Sequence, residues 1–491
     1  MVTPEQRGIP SESIHKYIKY LEGHRFATHN VIIMRGDDIV FEKYWAPFHK
    51  DFLHRIYSAT KSFTAIAVGF AVQDGLLELD APMIKYFPEE LKNQASEDMK
   101  NQTVRHMLMM STAKLSQPWF AARTDDRVKF YFANDRQCSR PSGTIWQYDS
   151  SGSFVLGALV EKVTGKKMLD YLREKAFDKM GFSKEAYMLQ CPGGWSWADS
   201  GLVCKATDLL KAAKLMLNGG RWNGEQLLNE DYVKAATGNQ IHNHYWDGVH
   251  YETHGYGYLI WRTWQNSFMF DGMGSQFAVC VPDKDLIMVY NADNQGRSPV
   301  ADNTIITGFF DIIVDSIKGD TLPENPAAQE ALAEYTKDLK LITASGEKET
   351  PWTEKINGVT YTLGANDMGI TKVRFDFDQE GNGKLSYTNA QGDKEISFGM
   401  GENLFQKFPQ DGYSDQVGSQ PGKGRFYDCA ASAAWLEPHK LYVKVQIIDA
   451  YFGILNMYFS FRENKVGIYM AKIAEDFLNE YEGFAGGEAV Q

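Results

Sequence analysis

The sequence predicts an α/β protein of the α+β type, in which a domain with an antiparallel sheet and a helical region precedes an all-β, barrel-like domain. A β-hairpin pattern lies at residues 30–44, and strand patterns return at residues 257–291 after a mainly helical stretch. From residue 359 onward, short alternating segments are separated by turn residues, which is typical of a barrel or a sandwich. The length of 491 residues is that of a chain with two or three domains.

In the first domain, each predicted element rests on its periodicity and on the residues that end it. Apolar residues at helical spacing predict a first helix from Ile14 to Leu21, with Ser11 or Ser13 as its cap. Gly36-Asp37 separates the two strands of the hairpin. Further helices are predicted over 61–74, 155–163, 208–217 and 304–317, and further strands over 257–263, 268–270, 276–281 and 286–291. Because strand patterns occur at both ends of this domain, we expect one sheet that joins its two ends.

The composition changes near Gly319–Pro326, which we take as the end of the first domain. We predict a domain over residues 1–320, a linker over 321–350, and a barrel-like (lipocalin-like) accessory domain over 351–491. The strands of the second domain are predicted over 359–363, 372–377, 384–388, 394–398, 441–448, 453–461 and 465–470.

Composition and charge exclude several classes of protein. The net charge is −12, so a nucleic acid or an anionic membrane is an unfavourable partner. No apolar run approaches the roughly 20 residues that a membrane-spanning helix needs. The five cysteines include no Cys-x-x-Cys pair, which predicts neither a disulfide framework nor a structural zinc site. The first residues lack a secretory signal, so we expect a cytoplasmic location, or a periplasmic or secreted one if a leader has been removed.

Ser58-Ala-Thr-Lys61 is the motif with the most chemical content. It follows a β-rich stretch and begins an apolar helix, where residues three apart lie on one face. The amine of Lys61 is therefore expected beside the hydroxyl of Ser58. Serine becomes a strong nucleophile when a base lies next to it, and a desolvated lysine supplies one. The same spacing also occurs in helices where the serine serves only as a cap.

Two further motifs contribute groups of complementary chemistry. Tyr148-Asp-Ser150 supplies a phenol and a hydroxyl, and a tyrosine that shares protons with a lysine acts as a general base and acid. The alternative is a loop that only caps the following helix. Gly272 and Gly274 lie directly before an apolar strand, where backbone N–H groups can approach a ligand as in an oxyanion hole. The alternative here is an ordinary hairpin turn.

Together the three motifs resemble those of the serine β-lactamase and penicillin-binding-protein superfamily. The most similar branch is that of the class C β-lactamase-like serine hydrolases, with its carboxylesterases, D-aminopeptidases and 6-aminohexanoate-dimer hydrolases. The resemblance extends over residues 5–318 and includes the segments 104–111, 201–211, 218–225 and 255–261. It implies a β-lactamase/transpeptidase-like fold for the first domain.

The resemblance also implies a role for each residue of the first two motifs. Ser58 is the expected nucleophile, Lys61 is the partner that activates it, and Tyr148 is the expected general base and acid. Ser150 stands where the family has Asn or Ser.

The third motif departs from the family pattern. Relatives carry Lys-Thr-Gly, or His/Trp-x-Gly, whereas Met273 here occupies or adjoins the cationic position. The loss of that charge predicts weak or absent β-lactamase activity. The backbone N–H groups of Ser58 and Met273 are the expected oxyanion donors. Gly274, Gln276 and Ser150 complete the expected substrate contacts.

No metal or cofactor is expected. His242-Asn-His244 resembles a zinc-binding run, but Asp247 comes one position too late for it. A Gly-x-Ser-x-Gly motif is absent from the sequence, which argues against an α/β-hydrolase.

The sequence therefore predicts a serine hydrolase that forms an acyl-Ser58 intermediate on an ester or amide bond of a small molecule, in the manner of a carboxylesterase. An acyltransferase would use the same intermediate, and a non-catalytic binding protein would keep only the fold. The presence of Ser58, Lys61 and Tyr148 together favours an enzyme over a binding protein. By analogy with other hydrolases, the second domain is expected to shape the cleft or to mediate homo-oligomerisation.

Overall fold

The computed structural model describes residues 2–94, 96–114, 124–133, 140–245, 250–411, 426–475 and 477–490. The chain divides into two units between Lys340 and Leu341, a point that lies within the predicted linker. In the described ranges, no helix is both long enough and apolar enough to cross a membrane.

The first unit combines helices with short and long strands. Within its described residues, the helices are α1 Ser11–Gly23, α2 Thr60–Gln73, α3 Pro88–Leu91, α4 Glu97–Asn101, α5 Val104–Leu108, α6 Arg127–Ala133, α7 Ser150–Thr164, α8 Met168–Leu172, α9 Ala206–Leu217, α10 Glu230–Thr237, α11 Val300–Gly308 and α12 Pro326–Tyr335. The strands are β1 Thr28–Arg35, β2 Asp38–Tyr44, β3 His54–Arg55, β4 Tyr187–Met188, β5 Leu202–Cys204, β6 Arg221–Trp222, β7 Glu225–Gln226, β8 Trp261–Arg262, β9 Phe268–Gly272, β10 Gln276–Val281 and β11 Leu286–Ala292.

A six-stranded antiparallel sheet in the order β2-β1-β11-β10-β9-β8 forms the centre of this unit. The first hairpin pairs with the last strand through β1 and β11, so the sheet joins the two ends of the domain as predicted. Every residue of β10 and β11 is buried, and α9 packs against both strands. Strands that are covered on both faces require apolar residues at nearly every position, which explains their continuous apolar sequence. The α+β prediction for this domain is confirmed.

α2 and α7 form the core of the helical region. All residues from Thr60 to Ala71 and from Ser150 to Glu161 are buried, and the two helices pack against each other. A helix that is apolar around its whole circumference lies inside a protein. Because the first two motifs lie at the N-terminal ends of these helices, the core of the domain also determines the position of those motifs.

The second unit is a closed barrel. Within its described residues, helix α13 Pro351–Ile356 precedes the strands β12 Thr360–Leu363, β13 Lys372–Phe377, β14 Gly383–Asn389, β15 Gly392–Met400, β16 Leu404–Lys407, β17 Asp428–Glu437, β18 Lys440–Ile448, β19 Phe452–Arg462, β20 Lys465–Ile473 and β21 Gly483–Ala489. Nine strands follow one another in the order β15-β14-β13-β12-β21-β20-β19-β18-β17, and a parallel pairing of β15 with β17 closes the ring. β16 pairs antiparallel with residues 428–431 of β17, next to the residues of β17 that pair with β15. The prediction of an all-β, barrel-like second domain is confirmed.

The sequence patterns miss the short strand β16 and two strands of the barrel itself, β17 and β21. β17 is rich in alanine and β21 in glycine, and residues of these types favour strands only weakly. Both strands are paired on each side, β17 with β16 and β18, and β21 with β12 and β20. Their conformation therefore depends on pairing with neighbouring strands more than on the strand preference of their own residues.

The predicted cap of the first helix is wrong. Pro10 stands at the N-cap, and neither Ser11 nor Ser13 caps the helix with its side chain. Instead, the buried carboxylate of Glu5 accepts hydrogen bonds from the backbone N–H of Ser11 at 2.8 Å and from its Oγ at 3.0 Å. An acidic side chain from outside the helix thus satisfies one backbone N–H group of its first turn.

The predicted strand 257–263 is reduced to the two residues of β8. Leu259 has a φ of 53°, and the backbone N–H of Gly257 donates to the carbonyl oxygen of Ile260 at 2.9 Å. The apolar run therefore forms a tight turn before β8, which a periodicity of two does not distinguish from a strand.

Candidate active site

Ser58 lies in a single 3-10 turn, Tyr57–Ala59, that leads directly into α2. The preceding strand β3 pairs with β5, and Ile56 N–H donates to the carbonyl oxygen of Leu202 at 3.1 Å. Tyr57 has a φ of 46°, a conformation that residues other than glycine seldom adopt. No side chain caps the start of α2, so the half-buried hydroxyl of Ser58 does not serve as a helix cap.

Lys61 places its amine beside this hydroxyl. Its Nζ lies 2.9 Å from Ser58 Oγ, because the two residues are three apart at the start of a helix. The same Nζ donates to the carbonyl oxygen of Asp199 at 2.8 Å. Lys61 is only 2% exposed, which is rare for lysine and keeps the amine out of bulk water. The buried amine is therefore held by two oxygen atoms.

The backbone of the segment 198–202 orients the turn Tyr57–Ala59, called the nucleophile turn because it carries the predicted nucleophile Ser58. Ala198 O accepts from Thr64 Oγ1 at 2.6 Å, Asp199 O accepts from Lys61, and Leu202 N–H donates to Thr60 Oγ1 at 3.1 Å. Three polar side chains of α2 thus bind one stretch of backbone. Sequence reasoning missed this segment, and no signal could reveal it, since backbone groups of any residue type make these bonds.

Tyr148 lies next to Lys61. The Lys61 Nζ is 5.1 Å from the centre of the Tyr148 ring, and this ring stacks on that of Trp261 at 5.7 Å. The following residue, Asp149, caps α7 by accepting from the Gly152 N–H at 3.0 Å and also accepts from a threonine hydroxyl at 2.8 Å. The cap of α7 is thus Asp149, and the half-buried ring of Tyr148 lies beside the lysine.

Ser150 is the first residue of α7 and is 8% exposed. Its backbone carbonyl accepts from Ser153 Oγ at 2.9 Å. It is thus a buried neighbour of Tyr148 on the same helix start.

Gly272 brings the third motif against the nucleophile turn. A Cβ atom on Gly272 would lie 2.2 Å from the carbonyl oxygen of Ile56 and 3.0 Å from the backbone nitrogen of Ala59. Side-chain atoms do not fit at these distances, so only glycine allows the two backbones to approach so closely. The end of β9 therefore lies directly beside the turn that carries Ser58.

Met273 and Gly274 follow Gly272 in the turn between β9 and β10, whereas Gln276 begins β10. Met273 is 39% exposed and Gly274 has a φ of 80°. The side chain of Gln276 is fully buried and donates to the carbonyl oxygens of Met273 at 3.2 Å and Ala292 at 2.6 Å. Gln276 thus supports the turn from within the protein.

Asp271 places a carboxyl group near Lys61. It accepts a hydrogen bond from Tyr251 Oη at 3.2 Å. Burial raises the pKa of Asp271 well above its ordinary value, the carboxylates of Glu252 and Asp302 add to this effect, and the charge of Lys61 opposes it. The acidic group and the amine therefore interact electrostatically across the site.

The described part of the chain contains no group of three or more His, Cys, Asp or Glu side chains able to hold a metal ion. The rings of His242 and His244 lie 5.9 Å apart, centre to centre. Asp247 lies outside the described residues.

Comparison with known proteins identifies the family. The beta-lactamase family model matches residues 15–307. A 6-aminohexanoate-dimer hydrolase of Paenarthrobacter ureafaciens is 26% identical over 223 residues, 43% of this chain and 57% of that protein. Esterase EstB of Burkholderia gladioli is 30% identical over 156 residues, 28% of this chain and 39% of the esterase. The matched region thus spans little more than half the length of the first relative and less of the second.

Solved structures share the fold. A Bacillus anthracis protein assigned as a 6-aminohexanoate-dimer hydrolase superposes with a TM-score of 0.52 at 18% identity, over 62% of this chain and 83% of its own. An octameric penicillin-binding-protein homologue of Pyrococcus abyssi superposes with a TM-score of 0.50 at 17% identity, over 97% of this chain and 99% of its own. These findings confirm the resemblance seen in the three motifs: the chain belongs to the beta-lactamase family.

Proposed function

We propose that the protein is a serine hydrolase that cleaves an ester or amide bond of a small molecule through an acyl intermediate on Ser58, with carboxylesterase-like activity. The observation that carries the proposal is the 2.9 Å separation of Ser58 Oγ from the amine of a lysine that is itself buried. A hydroxyl with an adjacent desolvated base is the minimum requirement for a serine nucleophile.

In the proposed reaction, Ser58 Oγ attacks the carbonyl carbon of the substrate and its proton passes to the Lys61–Tyr148 pair. The negative charge on the carbonyl oxygen is stabilised by the backbone N–H groups of Ser58 and Met273. Tyr148 then protonates the leaving group as the acyl enzyme forms. Water attacks the acyl ester by the reverse sequence of proton transfers, which releases the acid and restores Ser58.

The relatives support an ester or amide as substrate. One is named a hydrolase of an aminohexanoate dimer and another an esterase. In addition, the segment Phe268–Gln276 contains no Lys, Arg or His. We therefore propose neutral acyl esters or amides as the preferred substrates.

A fluorophosphonate probe tests this proposal, because it reacts covalently with activated serines. We expect one label, located on Ser58 by mass spectrometry of the full-length protein. Ser58→Ala should abolish the label and lower ester turnover by about a thousandfold or more. Ser62→Ala is the matched control, since Ser62 lies on the same helix but donates its hydroxyl to Leu259 O at 3.0 Å. Turnover near the wild-type level in Ser58→Ala would contradict the mechanism.

A further inference from the structure

The turn formed by Met273, Gly274 and Ser275 is held by hydrogen bonds from several separate elements. Asn294 N–H donates to Gly274 O at 3.1 Å, and Asn294 Nδ2 donates to Ser275 Oγ at 3.1 Å. Ser275 Oγ in turn donates to the Asp302 carboxylate, which belongs to α11. With the bond from Gln276 to Met273 O, each residue of the turn is tied to the body of the domain.

We call the hydrogen-bonded group of Ser275, Asn294 and Asp302 the clamp, and all three of its residues are buried. Ser275 is 0% exposed, Asn294 2% and Asp302 6%. A buried carboxylate is costly unless hydrogen-bond donors satisfy it, and Asp302 is satisfied by two hydroxyls, those of Ser275 and Ser298. Of these two, only the Ser275 hydroxyl belongs to the turn. The Asp302 carboxylate is thus held in place by the hydroxyl of Ser298, and it holds the turn through the hydroxyl of Ser275.

The backbone of the turn is strained without such support. Ser275 has a φ of 72° and follows Gly274 with a φ of 80°, so a serine occupies a left-handed conformation that normally favours glycine. Such conformations persist where the surroundings over-determine them, and they concentrate at functional sites. The clamp supports the left-handed conformation of Ser275, two residues after Met273.

We propose that Ser275 and Asp302 are positioning residues, which hold the turn so that the Met273 N–H points at the oxygen of the substrate carbonyl bound to Ser58. The inference rests on the proposed function and deepens it. Gly272 fixes how closely β9 approaches the nucleophile turn, whereas the clamp fixes the direction of the peptide group that follows. Neither Ser275 nor Asp302 touches the substrate in this proposal.

Ser275→Gly tests the role of the clamp directly. Glycine accepts the left-handed φ without strain, so the variant should fold, but it loses both hydrogen bonds of the hydroxyl. Loss of a whole oxyanion donor lowers kcat by about 10²–10³, and a displaced donor should cost part of this. We therefore expect kcat to fall by about tenfold to a hundredfold with KM within about twofold of wild type, since ground-state binding is untouched. The rate of fluorophosphonate labelling should fall in parallel.

Ser298→Ala is the matched control, because it removes the other hydroxyl bound to Asp302 and leaves the turn intact. We expect its kcat to stay within about twofold of wild type, even if thermal unfolding shows a loss of stability. Asp302→Asn serves as a second variant: it keeps the shape and one acceptor, and should show a smaller fall in kcat than Ser275→Gly. Melting curves of all three proteins separate folding from activity.

Three outcomes would overturn the inference. The first is an unchanged kcat in Ser275→Gly, and the second is a change in the KM of this variant in place of its kcat. The third is a fall in kcat in both Ser275→Gly and Ser298→Ala that is proportional to the fall in their melting temperatures. Failure of the proposed function looks different, since the wild-type protein itself would then not be labelled at Ser58.

Discussion

The two turns that meet at the candidate site are held in different ways. The nucleophile turn carries its own chemistry, because Lys61 follows Ser58 by three residues and reaches it by helical geometry alone. The turn after Gly272 depends on residues 16 to 27 positions away, at Ala292 and Asp302. The proposed nucleophile and its base can therefore be encoded locally, whereas the proposed backbone donor, the Met273 N–H group, depends on β10, β11 and α11 for its position.

The largest expected effect comes from variants of the two groups proposed to move the Ser58 proton. Lys61→Ala and Tyr148→Phe should each lower the acylation rate by about 10²–10⁴, the usual contribution of a general base or acid. The double variant should lose much less than the product of the two losses, because both groups act on one proton path. Single-turnover kinetics with a nitrophenyl ester would measure all three rates.

Lys214→Ala is the control for that experiment. Lys214 is also buried and donates to a backbone carbonyl, that of Gly36 at 2.8 Å, but it belongs to α9. The Lys214→Ala variant should be less stable than wild type but should keep the wild-type acylation rate. Strictly additive losses in log rate for the two active-site variants would show that Lys61 and Tyr148 act in separate steps.

The second effect tests how the two turns meet. Gly272→Ala introduces a methyl group 2.2 Å from Ile56 O, so β9 must move away from the nucleophile turn. Displacement of catalytic groups by about 1 Å can cost about a hundredfold in rate, and we expect a loss of at least this size in kcat/KM. Gly23→Ala is the control, because its added Cβ meets no atom within 4 Å. Equal activity of the two variants would mean that the close approach has no catalytic role.

The comparison of the two turns also explains what the sequence could predict of the site. The contact of Ser58 with Lys61 follows from spacing, and the place of Tyr148 at the start of an apolar helix follows from the motif and the family resemblance. The supporting role of Gln276 was not predicted, because its partners Met273 O and Ala292 O are backbone groups. Asp302 carries no local signal at all, since it becomes relevant only when α11 packs behind the turn.

The fold shows the same division between local and non-local information. Strands with strong apolar patterns, such as β10 and β11, were predicted nearly to the residue. In contrast, β17 and β21 are strands because their neighbours pair with them, although their own residues favour strands weakly. Propensity therefore identifies a strand only where the residues of that strand themselves favour the extended conformation.

The third effect concerns the charge beside the second turn. Penicillins carry a carboxylate, and the segment Phe268–Gln276 offers it no cation and contains Asp271. A charge-assisted hydrogen bond is worth about 1.5–3 kcal/mol, so we expect kcat/KM for penicillins to lie about 10- to 100-fold below that for short neutral esters. A cephalosporin cleaved as well as a nitrophenyl ester would contradict this interpretation of the third motif.

The smallest expected effect is on stability and concerns two buried imidazoles beside the nucleophile turn. His29 Nδ1 and His54 Nε2 are 2.7 Å apart, and His54 Nδ1 donates to Arg55 O at 2.7 Å. Burial lowers the pKa of His54 to about 3 and also lowers that of His29, so both are neutral in the folded protein. The unfolded chain binds more protons below pH 6.5, and the stability from His54 is therefore complete above that pH and is lost as the pH falls towards 3. At pH 5.5 the loss should be about 1.4 kcal/mol. His54→Gln keeps a donor and an acceptor but has no group that gains a proton in this range. Between pH 7.5 and 5.5, its free energy of unfolding, measured with urea, should therefore fall by about 1.4 kcal/mol less than that of wild type. The exposed His24→Gln is the control and should follow wild type. Identical pH dependence in wild type and His54→Gln would mean that the histidine pair does not make the domain sensitive to acid.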